Sequence, residues 1–485
     1  MERPPEAADP PAAVPAAPLP WHRDPYLRGA LVAGLLLRAI PALIWATDSC
    51  VRDECTYIKL AERFAQGQGM TGSAGWIWAP GYPILLGINR VLFGWPHVIK
   101  PFQIAAALGC VVLLYHLTLR ATARPDPAGG PPQGDLRAAR IAAWMYAISL
   151  HMAFFSFRLW SEVLYSGLLL GALLLLLRAR DAATGPGRAW LRDAALVGLL
   201  GGACVLFRGV ATYMLPLLMA GLLWGRLGLR RAWLQVALVG GLAVAVVGPY
   251  SAYATHKFGG FMISDRTMGQ MMWLGNNDFP PMTFDYGNGS LSKRAFARAR
   301  NSGRLPCGSK TDPLDRDLCQ SAEGKAWIKA NPAEFVRRIP LRLAQLCNPH
   351  SLLTRHLRWG AYKGMPQWMD ELLVLGGALG SMLAMIGGAA GLTIRGKGAQ
   401  GAVFGLLLLY HCAAISALAG LTRYRVPLEP LLMVYCAALL ADPAGARAAL
   451  SAQRWRGPLL VLILSIGVPL VLWFLPAGWP WWRSW

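Results

Sequence analysis

Charge is scarce in this sequence, and negative charge scarcer still. Of 485 residues 15% are charged, with 25 Asp and Glu against 47 Lys and Arg. A soluble domain carries about 25% charged residues. The hydrophobic share of 55% and the mean hydropathy of +0.38 take the chain out of that class. The nine cysteines show no metal-ligand spacing. HExxH, Walker A and GxSxG patterns are absent from the sequence, which leaves zincin, P-loop and nucleophile-elbow chemistry without a motif. Internal repeats of the kind many transporters carry are missing as well. Residues 1–26 are rich in Pro and Ala and lack an apolar core, so they read as a disordered cytoplasmic tail, not a cleavable signal.

What is present is a series of apolar blocks of roughly 20 residues, the length that crosses a bilayer core as a helix. The chain reads as an all-α polytopic membrane protein. Its net charge of +22 fits the surplus of Lys and Arg in cytoplasmic loops and attraction to anionic lipid. No basic patch is interleaved with aromatics, so no nucleic-acid partner is expected.

The first span falls at about 27–46 and contains Arg38, which either snorkels or faces the bundle. The second clear span is about 98–119. Basic clusters at Arg120–Arg140, Arg178–Arg192 and Arg226–Arg231 mark cytoplasmic loops. Between them must lie the helix pairs 140–155 with 162–177 and 193–207 with 211–225, followed by a span at 232–252. The apolar run 83–94 is too short to span and reads as interfacial. This parity puts the loop 47–97 and the large segment 254–370 outside the cytoplasm. Four further spans, near 371–393, 400–420, 426–441 and 458–475, bring the expected total to about eleven. The expected organisation is a tail (1–26), a transmembrane catalytic module (27–253), a large periplasmic loop (254–370), C-terminal helices (371–478) and an outer tail (479–485). Tryptophans 479, 481, 482 and 485 suit an interfacial belt.

Within 254–370, Asn331-Pro332 opens an amphipathic run to Cys347 with Pro340 inside it, read as a helix on the membrane surface. Cys110, Cys204, Cys412 and Cys436 sit in apolar blocks as core residues. In an oxidising compartment, Cys307 with Cys319 is the expected disulfide among the remaining five.

Chemistry concentrates on the outer loops. Asp53 and Glu54 are adjacent carboxylates just past the first span, and Glu162 follows Arg158-Leu159-Trp160-Ser161 on the next outer loop. Locally, Asp53 can cap the helix that follows it, and Glu162 can answer a helix dipole. Arg158, Arg208, Arg423 and Arg425 stand at outer helix ends; arginines there can simply snorkel to headgroups, but these run against the positive-inside trend, and an anionic ligand at that face would explain them. Arg266 lies early in the large segment. Gly275-Asn276-Asn277-Asp278 is a turn signal whose side-chain amides can bond sugar hydroxyls.

Asp53-Glu54-x-x-Tyr57, Pro80-Gly81-Tyr82-Pro83 before an apolar helix, Arg158 to Glu162, Phe207-Arg208, Gly259 through Asn277, Asn331-Pro332 to Leu346, and Arg423-Tyr424-Arg425-Val426-Pro427 follow one another in order. Together they resemble the dolichyl-phosphate-mannose protein mannosyltransferases (glycosyltransferase family 39) and their bacterial relatives, including the lipid A aminoarabinose transferases. The resemblance covers most of residues 27–440. It implies a GT-C fold and inverting transfer of a sugar from a polyprenyl-phosphate donor to a protein, lipid or glycan, through a hydroxyl or phosphate, on the periplasmic face of a bacterial inner membrane. It implies Asp53 as base, with Glu54 and Glu162 orienting substrate or helping to hold a divalent cation. Arg158, Arg208, Arg266, Arg423 and Arg425 would hold the donor phosphate, and Tyr57, Tyr82, Asn276 and Asn277 the substrate. The sequence departs from many relatives in having Trp78-Ala79 where a basic residue precedes the proline motif, and Glu162 where they carry Asp. A transporter or flippase for a lipid-linked anion is the rival class; it would favour ionisable residues near midplane and inverted repeats.

Overall fold

The fold is seen in a computed structural model that describes residues 20–45, 50, 53–70, 77–123, 133–278, 307–358, 360–362, 364–418, 420, 422–452, 457, 459–460 and 463. The helices are α1 (Pro25–Ile44), α2 (Asp53–Ala65), α3 (Gly81–Phe93), α4 (Ile99–Ala121), α5 (Leu136–Ala147), α6 (Leu150–Phe157), α7 (Glu162–Ala182), α8 (Ala189–Phe207), α9 (Ala211–Leu223) and α10 (Arg230–Phe258). They continue as α11 (Met268–Gly275), α12 (Pro313–Ala330), α13 (Pro332–Cys347), α14 (Leu352–Arg358), α15 (Gln367–Arg395), α16 (Gly398–Ala417), a 3-10 turn (Thr422–Arg425), α17 (Leu428–Ala441) and α18 (Pro443–Ala452).

Among the described residues seven helices are long and apolar enough to cross a bilayer, or nine if the bent pairs α5–α6 and α17–α18 each count as one span. The chain is thus a multi-pass membrane protein. Helix α9 is apolar but shorter. The expected span at 458–475 lies outside the described residues, apart from Leu459, Leu460 and Ile463, and the tryptophans at 479–485 lie outside them entirely.

Small residues let the helices approach. A Cβ on Gly198 would come within 2.8 Å of the Val239 carbonyl, and one on Gly202 within 3.0 Å of the Ala243 carbonyl. Two glycines four apart on α8 therefore seat α10 backbone to backbone, a small-residue interface in a setting where lipid supplies no hydrophobic drive.

Three expectations change. Residues 20–26 are not part of the tail: Asp24 caps α1 through the Tyr26 amide (3.0 Å) and also takes the Tyr115 hydroxyl (2.9 Å) and Arg140 (2.9 Å). The span expected at 140–155 is two helices bent by 52°, with Ser149 restarting the second by accepting from the Met152 amide. Arg38 makes that break tolerable. It is fully buried and donates to the carbonyls of Ala147 (2.7 Å), Tyr146 (3.2 Å) and Gly34 (2.9 Å) and to Ser156 Oγ (3.2 Å). Carbonyls freed at a helix break must find donors where no water is present. Helix α13 is the third case. It packs on α16 and the 3-10 turn, with Pro340 inside it. Arg342 donates to the Gly275 carbonyl (2.7 Å) and Asn276 Oδ1 (2.8 Å), and Arg338 to the Asn277 carbonyl (3.0 Å). These arginines clamp α11 to the bundle.

Candidate active site

The N-terminus of α2, the α6–α7 turn, the C-terminus of α8 and the 3-10 turn after α16 meet at one end of the bundle. The basic loops gather at the other end, where Arg120 pairs with Asp181 (2.6 Å), Arg178 with Asp193 (3.2 Å) and Arg395 with Asp442 (2.7 Å).

Helix ends account for the placement of charge at the site. Asp53 and Glu54 occupy the first turn of α2, and Glu162 is the first residue of α7. Carboxylates are stabilised there by the unpaired amides of the helix start. Arg208 caps the C-terminus of α8, where a cation is favoured. Gly81 is needed at the start of α3, since a Cβ would lie 2.6 Å from the Phe207 ring and 3.0 Å from the Leu206 carbonyl. The Pro-Gly-Tyr-Pro segment thus lies directly against the end of α8 that carries Arg208.

Arg423 is the hub. Its Nε donates to Glu162 Oε1 at 2.8 Å, its Nη1 is paired with Asp53 Oδ2, and its guanidinium lies 4.9 Å over the Trp160 ring. Arg208 Nη1 approaches the same Glu162 Oε1 at 2.9 Å, an ion-pair distance without hydrogen-bond alignment. Glu162 Oε2 is buried with no hydrogen-bond partner among the described residues. Side-chain exposure rises from 0% at Glu162 through 11% at Arg208 and 18% at Arg423 to 31% at Asp53. Asp53 and Arg423 therefore stand at the mouth, and Glu162 closes the floor. Burial works against the charge of Arg423, but the carboxylates of Glu162 and Asp53 and the Tyr57 ring hydroxyl hold its pKa well above the usual value. One guanidinium reaches both acids, so they share a single site.

Glu54 faces the other way. It is buried, pairs with Arg158 through Nε at 2.9 Å and through Nη2, and accepts from the Leu159 amide at 2.9 Å. Gln103 extends the support by donating to the Arg158 carbonyl (2.8 Å), and it receives the Tyr82 hydroxyl (2.6 Å). Tyr57 packs edge-on against Trp78, Tyr82 and Trp160. Tyr57 at 4% and Tyr82 at 0% exposure are walls beneath the site, with no face open to a sugar.

Besides Glu54, Arg158, Tyr57 and Tyr82, four more residues expected at the ligand lie elsewhere. Arg425 is buried, bound to Glu429 (2.7 Å) and to the carbonyls of Leu346, Asn348 and Pro349. Asn276 ties α11 to the Ala417 carbonyl (3.0 Å), and Asn277 caps α11 at the Trp273 carbonyl (2.8 Å). Arg266 donates its backbone amide to the Ile77 carbonyl (2.8 Å), and its side chain turns to the Phe261 carbonyl and, at 4.0 Å, to Asp317.

Two residues that sequence reasoning left unassigned matter here. Trp160 supplies the face under Arg423; it lay inside the Arg158–Glu162 string, and its bulk at a helix start was the available signal. Asp265 lies against Gly209, next to Arg208, and a Cβ on Gly209 would run into its carboxylate. Burial and the nearby Asp317 push its carboxyl up to about 6, against lowering by the Thr267 hydroxyl, Arg208 and the Gly209 amide. Among the described residues no group of three or more His, Cys, Asp and Glu is arranged to hold a metal. The acids that could share a divalent cation, Asp53 and Glu162, have the Arg423 guanidinium between them.

Two disulfides flank these elements, Cys50–Cys55 around the first turn of α2 and Cys307–Cys319 at α12. The second matches expectation. The first joins two cysteines whose spacing gave no sign of it.

No protein-family model and no curated protein matches the sequence. Solved structures do match. The Archaeoglobus fulgidus oligosaccharyltransferase in its apo form is 14% identical over 94% of this chain and 56% of that chain, with a TM-score of 0.50. The same enzyme tethered by a disulfide to an acceptor peptide containing the NVT sequon gives 14%, 94%, 55% and 0.50. ArnT from Cupriavidus metallidurans bound to undecaprenyl phosphate is a looser match: 12% identity, 86% of this chain, 77% of that chain and a TM-score of 0.39. The chain spans about half the length of the oligosaccharyltransferase. At such identities the likeness is one of fold, and the fold is GT-C.

Proposed function

We propose that the protein is a membrane glycosyltransferase that moves a sugar, with inversion, from a polyprenyl-phosphate donor to a hydroxyl or phosphate acceptor. The observation that carries this reading is the junction at the bundle end: an open carboxylate (Asp53), a buried one (Glu162) and two arginines, brought in from four separate segments. Displacement at an anomeric carbon needs a base for the incoming group, stabilisation of oxocarbenium character, and a cationic seat for the departing phosphate. Asp53, at the mouth, is the base. Glu162 lies below it, close enough to favour positive charge at the sugar carbon. Arg423 and Arg208 take the phosphate, with bidentate geometry available to a guanidinium. Glu54 and Arg158 fix the α2 start and the α6–α7 turn that present Asp53 and Trp160.

Both disulfides lie in segments that loop-charge parity assigns to the outside, and disulfides persist in oxidising compartments. This supports a site on the periplasmic face of an inner membrane. The test is to reconstitute the purified protein, supply a panel of polyprenyl-phosphate sugars, and follow release of free polyprenyl phosphate. Asp53→Asn should abolish release while expression and folding are retained. Full turnover in that variant would remove Asp53 as base.

A further inference from the structure

We infer that Arg423 couples donor binding to the freeing of Asp53, so that the base becomes available only after a lipid phosphate has arrived. The inference rests on the glycosyl-transfer reading and extends it to the order of events.

The geometry is asymmetric. Glu162 is held by two guanidiniums, Arg208 at 2.9 Å and Arg423 at 2.8 Å, and its side chain is 0% exposed. Asp53 is 31% exposed, and among the described residues its one ion-pair partner is Arg423. A phosphate entering the mouth meets Arg423 at its outer, Asp53-facing nitrogen. The donor's phosphodiester monoanion and the Asp53 carboxylate then compete for the same N–H groups. The contact that yields is the exposed one, since Nε stays on buried Glu162 and the guanidinium keeps its seat over Trp160 at 4.9 Å. Asp53 Oδ2, now without its cation, is open to an acceptor hydroxyl. Without donor, Arg423 occupies Asp53 Oδ2 and holds the carboxylate as an ion pair. This protects the site from idle acceptor binding and from water activation. A lysine cannot reproduce it, because an ammonium is a point charge without the planar fork that spans two acids.

The test uses the full chain in nanodiscs and undecaprenyl phosphate, the kind of lipid product that transfer would release, which carries no sugar to transfer. Carboxyls are labelled with glycinamide and a water-soluble carbodiimide, and Asp53 and Glu162 are quantified by mass spectrometry, with lipid binding measured in parallel. Saturating undecaprenyl phosphate should raise Asp53 labelling about threefold or more, a change of the order expected when a close ion pair is given up, and leave Glu162 unlabelled. Undecaprenol, which lacks the phosphate, should change neither. In Arg423→Lys and Arg423→Gln, Asp53 should label strongly with or without lipid. Binding of undecaprenyl phosphate with Asp53 labelling unchanged or lowered overturns the coupling and leaves the transferase reading standing. Failure of the lipid to bind at all counts against the transferase reading, and the coupling falls with it.

Discussion

Arg423 and Arg425 stand two residues apart on one short turn, yet their surroundings demand opposite consequences on mutation. Arg425 is 1% exposed, and its partner Glu429 is 0% exposed. Besides Glu429, its guanidinium satisfies the carbonyls of Leu346, Asn348 and Pro349. Truncation to Ala removes all of these bonds together. Glu429 would keep only Ser381 (2.6 Å) and His151 (3.6 Å) at Oε1, with Oε2 already lacking a partner among the described residues. Removing one member of a buried pair costs about 3–5 kcal/mol, mostly from the charge left behind. Arg425→Ala should therefore lower stability by that amount in a denaturation series in detergent. The double variant Arg425→Met/Glu429→Met should recover most of the loss, because it removes the orphaned charge. Undecaprenyl phosphate affinity, measured below the unfolding transition, should stay within about threefold of wild type, less than the effect of losing a charge-assisted bond. An Arg425→Ala protein of unchanged stability that bound the lipid tenfold more weakly would refute the structural assignment and return Arg425 to the ligand.

The two disulfides should separate by readout. Ring sizes set by separations of 5 and 12 residues correspond to about 2 and 3 kcal/mol of chain entropy respectively. Cys307→Ser/Cys319→Ser should therefore lower the unfolding midpoint more, while Cys50→Ser/Cys55→Ser should lower transfer more, since it loosens the turn presenting Asp53; the reverse ranking in parallel turnover and melting assays would contradict this. Asp265 provides a pH signature. Its carboxyl is pushed up from the ordinary 3.8 to about 6 by burial in the folded protein. The folded state thus holds its proton longer, and stability is lost as pH rises from about 4 through 6. Asp265→Asn should remove that slope and melt higher than wild type at pH 7 but not at pH 4. A wild-type midpoint flat across this window would show that Asp265 is not desolvated.

Hydrophobic blocks predict most of the bundle directly, because in lipid a continuous apolar run of sufficient length has little alternative to a helix. The α5–α6 break was harder to read. It contains neither Pro nor Gly, and its cause is a donor, Arg38, contributed from more than a hundred residues away. Side-chain direction was the other gap. Asp53 and Glu54 are neighbours in sequence, yet successive residues on a helix point about 100° apart; one faces the mouth and the other is sealed against Arg158. Arg208, Arg423 and Arg425 look alike as cations at helix ends. Only three-dimensional packing decides that two meet Glu162 and the third meets Glu429. Asn276 and Asn277 read correctly as a turn signal, but the amides are taken up by neighbouring carbonyls.

The Arg38 contact also bears on biogenesis. Its acceptors on α5 and α6 are made long after α1 has left the ribosome. Until they arrive, α1 must sit in the bilayer with a guanidinium near its middle, at a cost of about 2.5–3.5 kcal/mol on the insertion scale. Docking of α5 and α6 removes that cost, which gives the first helix a specific reason to wait for, and then capture, the broken pair that leads into the α6–α7 turn. An assembly step early in synthesis is thereby tied to the placement of Trp160 and Glu162.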